Sequence, residues 1–251
     1  MFSTIGDDSI TLHYQPLADR SGTVMGMEAL MRWHHHSRGP ISPEAFVPIF
    51  EKSGLIAPLS RWALCQACFD AASWPRPLMV AVNISAIQFD KEDLPLLVRS
   101  ALAHSGLAPE RLELEITETV MLKDEHGAFE ILTRLHALGV RIALDDFGTG
   151  YSSLSNLRKF PFDKIKIDRS FISDLSAANV DALAVVRSVA QLGVSLGMST
   201  TAEGVETKEQ MDQVRAEGCT EMQGFLFSGA VPANDIDRLL RAEAQKRANA
   251  A

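Results

Sequence analysis

Eight short apolar runs recur along this chain, at residues 11–16, 24–33, 78–85, 112–117, 140–145, 164–168, 199–202 and 221–227. From the second run onward, each is separated from the next by at least one stretch of helical periodicity, such as residues 125–138 and 181–196. Eight strands close a small barrel, and a helix between consecutive strands is what a parallel barrel needs to bring the chain back. The pattern predicts an α/β fold, a TIM-like (β/α)8 barrel. One connection breaks the rhythm: residues 18–23, with Asp19 and Gly22, are too few for a crossover helix and read as a hairpin. One strand near the N-terminus is therefore expected to run antiparallel to its neighbours.

The chain has 251 residues and no evident linker, low-complexity tract or repeat, so a single domain over residues 1–251 is expected, with residues 242–251 as a fraying helix end. No run approaches the ~20 apolar residues of a membrane span, and the first residues, with Asp7 and Asp8, lack the flank and core of a signal peptide. A soluble, cytoplasmic chain is expected. The net charge of −8 argues against general binding to DNA, whose affinity comes from Lys and Arg on phosphates. It leaves room for a small phosphorylated ligand held through metal. Cys65 and Cys68 lie in a helical stretch with Leu64 and Phe69, and with one further cysteine they read as buried thiols rather than a zinc or redox pair.

The polar residues fall at strand ends. Val140, Ile142 and Leu144 lead at strand spacing into Asp145 and Asp146, which open a loop containing Gly148 and Gly150. Two ionised carboxylates in contact repel each other, and a polyvalent cation is the usual remedy. In a parallel barrel the C-terminal strand ends form one rim. Read in order, they deliver Glu28, Asn83, Glu115, Asp145 with Asp146, Lys166 with Asp168, Glu203 and Gln223. Oxygen donors without His or Cys select Mg²⁺ or Mn²⁺ over zinc. Two such ions sharing an aspartate can activate water and stabilise both oxygens of a displacement at phosphorus. The chemistry expected is metal-dependent phosphodiester hydrolysis.

The segment Met27-Glu28-Ala29-Leu30-Met31-Arg32-Trp33 resembles the signature of the EAL-domain family, which hydrolyses the bacterial second messenger cyclic di-GMP. Further motifs similar to that family follow in order: Tyr14-Gln15-Pro16, Asn83-Ile84-Ser85, Glu115-Ile116-Thr117-Glu118, the run from Asp145 to Leu154, Lys166-Ile167-Asp168, Ala202-Glu203-Gly204-Val205-Glu206 and Gln223-Gly224-Phe225-Leu226-Phe227-Ser228. The resemblance implies a phosphodiesterase that opens cyclic di-GMP to 5′-pGpG with two Mg²⁺ or Mn²⁺ ions. The alternative is a receptor that binds the nucleotide without cutting it.

By the same resemblance, Glu28, Asn83, Glu115 and Asp145 hold one ion, and Asp145, Asp146 and Glu203 the second. Lys166 orients the attacking water, and Glu203 is assigned to the site as metal ligand or base. Glu118 anchors the loop containing Gly148 and Gly150. Substrate lies over the mouth against Gln15, Glu28, Leu30, Arg32, Asp146, Gln223 and Phe225. A homodimer paired near residues 148–157 is expected, as is a sensory or GGDEF-type domain outside this chain. Two departures stand out. Gly229-Ala230 replaces a usual basic residue and proline, which would loosen the last loop or weaken a phosphate contact. His36, beside His34 and His35, replaces a proline.

Overall fold

The computed structural model describes residues 4–5, 8–91, 93–148, 154–175 and 180–250. Eight strands form a closed ring: β1 (Asp8–Asp19), β2 (Val24–His35), β3 (Met79–Asn83), β4 (Leu112–Thr117), β5 (Arg141–Phe147), β6 (Lys164–Ile167), β7 (Ser199–Ala202) and β8 (Glu221–Gln223). Each pairs with the next in sequence, and β8 pairs with β1 to close the barrel. The pairs from β2 through β8 are parallel, whereas β1 is antiparallel to both β2 and β8. The expected barrel and its antiparallel strand are both present. The hairpin that reverses β1 is built by Asp19, whose Oδ1 accepts from the Ser21 and Thr23 backbone N–H groups at 2.8 and 2.9 Å, with Gly22 at φ 81°.

Strand alternation divides the barrel into two media. Val80, Val82, Leu112, Leu114, Ile142, Leu144, Ile165 and Ile167 are buried in the main apolar core between sheet and helices. The alternate residues face the barrel axis. There Lys164 of β6 bonds Glu113 of β4 and Glu221 of β8, both at 2.6 Å. Neither partner strand is adjacent to β6, so these contacts cross the lumen. β1 and β2 continue beyond the mouth as a ribbon whose outer residues Ile10 and Trp33 pack on Phe46 and Phe50 of helix Pro43–Ser53, forming a second core.

Some local expectations need correction. The predicted run 221–227 stops at Gln223, because Gly224 presses on the backbone of Val205, where an added Cβ would lie 2.1 Å from the carbonyl oxygen. Short strands Thr4–Ile5, Gly39–Ile41 and Val231–Pro232, unforeseen in the sequence, pair outside the ring with β1, β2 and β1. Cys65 is exposed, not buried. Helix Ile56–Ala72 buries Leu64, Ala67, Cys68 and Ala71, and Cys65 with Phe69 sits one step round toward solvent. The last helix, Ile236–Ala250, includes most of the predicted fraying end and docks through Ile236 and Leu240. No helix among the described residues is long and apolar enough to cross a membrane.

Candidate active site

A β-bulge builds the centre of the site. On β5, Leu144 pairs with Ile165 and Phe147 with Ile167, so two residues, Asp145 and Asp146, stand opposite the single Lys166 of β6. Regular alternation would send adjacent side chains to opposite faces. Here Asp146 takes a left-handed backbone, φ 55°, its N–H donating to Asp145 Oδ1 at 3.0 Å. Carboxylate oxygens of Asp145, Asp146 and Glu203 consequently lie within 4.8 Å of one another.

Lys166 occupies the middle of this acidic ring. Its Nζ lies 2.7 Å from Glu203, 2.9 Å from Glu115, 3.2 Å from Asp145 and 3.9 Å from Glu28. Glu28 accepts from Asn83 Nδ2 and from Gln223 Nε2, both at 2.7 Å. Burial opposes every one of these charges, and the outcome differs by partner. Lys166 is buried, yet its four carboxylates hold its pKa well above the usual lysine range. Burial, then repulsion from Glu28, raises Glu115 well above the carboxylate range. Glu203 is pushed up to about 8 by burial, with Lys166 opposing. Burial and then Asp145 raise Asp146. Burial works against Glu28 as well, but Lys166 and the hydrogen bonds from Gln223 and Asn83 hold its pKa below the ordinary value. One lysine does not neutralise five carboxylates, so the arrangement favours added cations.

Above the ring is a cavity of about 240 Å³ lined by Gln15, Glu28, Leu30, Gln223 and Phe225 from the predicted substrate set. Phe225 presents its ring at 71% exposure. Arg32 and Asp146 are absent from that lining; the half-buried Arg32 guanidinium donates to the Met31 carbonyl at 3.1 Å. Sequence reasoning missed Arg169 and Glu206, which do line it. Their signal was available, since Arg169 follows Lys166-Ile167-Asp168 directly and Glu206 closes the motif around Glu203. Asp168 instead caps helix Arg169–Ser173, accepting from Ser170 N–H. A larger cavity of 480 Å³ lies against the last helix, between Pro16, Val24 and Leu239, and its two carboxylates, Asp235 and Glu243, are each paired with an arginine, Arg238 and Arg76. Chemistry rather than size identifies the site.

Glu118, just past the end of β4, is buried, and neither carboxylate oxygen has a hydrogen-bond partner among the described residues. It stands at the start of helix Thr119–Lys123 without making a side-chain cap. Most of the loop it is expected to anchor, residues 149–153 with Gly150, lies outside the described residues. The residues flanking Gly229-Ala230 are held to β1: Gln15 donates to the Ser228 carbonyl at 3.3 Å and Val231 pairs with Tyr14.

The EAL domain family model matches residues 3–230. An "Uncharacterized signaling protein" of Caulobacter vibrioides is 52% identical over 92% of this chain and 29% of its own length. The "Bifunctional diguanylate cyclase/cyclic di-GMP phosphodiesterase MucR" of Pseudomonas aeruginosa is 41% identical over 90% of this chain and 34% of its own. The solved structure "PaMucR Phosphodiesterase, c-di-GMP complex" superposes with a TM-score of 0.86 at 41% identity, covering 90% of this chain and 94% of that one. The chain spans between 28% and 34% of the length of the first curated relatives it matches. From the family match and these likenesses, the chain belongs to the EAL domain family.

Proposed function

We propose that this chain hydrolyses cyclic di-GMP to linear 5′-pGpG in a reaction dependent on divalent cations. The observation that carries the reading is the convergence of Glu28, Glu115, Asp145, Asp146 and Glu203 around Lys166 at the barrel mouth. The donor set fits hard cations: it is all oxygen, and four of its carboxylates, from Glu28, Glu115, Asp145 and Glu203, share the single cation of Lys166. Glu28, Asn83, Glu115 and Asp145 would hold one Mg²⁺ or Mn²⁺, and Asp145, Asp146 and Glu203 the other. When bound, the pair supplies Lewis acidity toward the phosphodiester and lowers the pKa of water.

The chain's own residues do the rest. Asn83 and Gln223 fix the orientation of Glu28 through its two oxygens. Lys166 orients the attacking water and offsets charge developing on the phosphate. Phe225 stacks on a guanine, Gln15 and Leu30 line the path of the ligand over the mouth, and Arg32, outside that lining, turns its guanidinium to the ligand when it binds. Glu118 anchors the loop that begins at Gly148. The molecule acts as one domain and as a homodimer, in the cytoplasm, joined to a sensory or GGDEF-type domain in a longer protein. Relatives roughly three times as long support the last point.

The test is turnover of cyclic di-GMP by purified protein with Mg²⁺ or Mn²⁺, an EDTA control and identification of the product. Glu28→Ala is expected to lower turnover by more than the ~10–100-fold typical of losing a residue that merely supports a metal ligand, with the fold retained. Near wild-type turnover by this variant would defeat the ligand assignment. Tight binding without cleavage under both metals would make the chain a nucleotide receptor.

A further inference from the structure

One ion pair spans the barrel mouth instead of following its rim. Arg169 begins the helix after β6, and Glu44 lies in the first turn of helix Pro43–Ser53, after β2. In the closed ring β2 and β6 are four strands apart in either direction, so these residues issue from opposite sides. Arg169 Nη2 nevertheless donates to Glu44 Oε1 at 2.8 Å. Both side chains are exposed, at 71% and 75%. Arg169 lines the site cavity and Glu44 does not. The stem of Arg169 is fixed there by Gly204, whose φ of +72° and missing side chain admit it; an added Cβ would lie 2.7 Å from the Arg169 Cβ.

We infer that Arg169 is a substrate-binding residue whose guanidinium is held on Glu44 in the unliganded protein and passes to a phosphate of the nucleotide when it enters. The inference rests on the cyclic-dinucleotide reading of this site. The cavity lining contains two cations, Lys166 and Arg169. Lys166 is engaged by four carboxylates at the floor. Arg169 has a solvent-exposed carboxylate partner, which is exchanged at little cost. The planar fork that matches a carboxylate matches a phosphate equally well. Glu44 thereby acts as a competitor for the ligand, and the bridge it makes across the mouth is broken by binding.

Two variants separate the parts. Arg169→Ala keeps the Cβ packed over Gly204 and removes the side chain beyond it, and Glu44→Gln removes charge at constant shape. The readouts are kcat and KM for cyclic di-GMP with Mg²⁺, and the equilibrium Kd of 5′-pGpG. Arg169→Ala is expected to raise KM and Kd roughly tenfold, the scale of one charged hydrogen-bonded pair, with kcat changed far less. Glu44→Gln is expected to lower KM by about 1.5- to 5-fold, the range set by an exposed ion pair. That gain should vanish in the double variant, where no guanidinium remains to be released. A merely structural Arg169 would not produce tighter binding on loss of Glu44. Wild-type protein that binds and cleaves the nucleotide, with KM unchanged in both variants or raised in Glu44→Gln, would overturn the inference alone. Wild-type protein that neither binds nor cleaves it would overturn the cyclic-dinucleotide reading and this inference with it.

Discussion

Asp146 shows how much of the site depends on one backbone conformation. Its left-handed φ is uncommon for a residue with a side chain, and it lets adjacent aspartates converge where a straight strand would part them. Glu203 carries the electrostatic consequence of that crowding. Its pKa is pushed up to about 8 by burial, against an ordinary 4.5, so the folded chain holds this proton more tightly than the unfolded one. Its contribution to stability is therefore complete below about pH 4.5 and is lost as pH rises through 8. Glu203→Gln stays neutral throughout. In EDTA, wild-type Tm minus variant Tm should fall between pH 5 and pH 8.5 by on the order of 10 °C, since one pKa unit is about 1.4 kcal/mol and each kcal/mol shifts Tm by about 2–4 °C at this size. Glu28, lowered and so opposite in sign, is common to both proteins. A flat difference across that window would show that Glu203 ionises without cost.

At the scale of elements, the barrel strands carry charge in two storeys. β4 supplies Glu113 and Glu115, β6 supplies Lys164 and Lys166, and β8 supplies Glu221 and Gln223, each pair two residues apart and on one face. The upper members form the site and the lower ones a buried Glu113–Lys164–Glu221 triad, in which the two glutamates hold the Lys164 pKa up against the effect of burial. Lys164→Met would leave two buried carboxylates facing each other across the lumen. A loss of about 3–5 kcal/mol is expected in urea unfolding. A loss under ~1 kcal/mol would show that water or protonation relieves the pair. The strand-end reading identified Lys166 and passed over Lys164, because it looked only at the mouth. The spacing Glu-x-Glu opposite Lys-x-Lys was the signal that could have revealed the second storey.

Across the whole molecule, the main core reaches from β1 to the last helix, and it buries two of the three thiols. Cys68 and Cys219 are pushed up to about 12 and about 11 by burial, whereas Cys65 faces solvent. Native protein at pH 7.5 is expected to react with a thiol reagent at one site quickly and at the other two only through unfolding; three fast thiols would contradict the core as described. The sequence by itself determined the number and order of the eight barrel strands, the hairpin at Asp19 and Gly22, and the oxygen-rich donor set at strand ends. These follow from local propensity, from side-chain period and from residue type, none of which needs a distant partner. Tertiary structure alone decided the bulge that turns Asp146 inward, the burial that separates Cys68 from Cys65, the withdrawal of Arg32 from the cavity lining, and the bridge from Arg169 to Glu44. Each depends on segments remote in sequence meeting at a particular register and angle, which are settled only when the eight strands close into a ring.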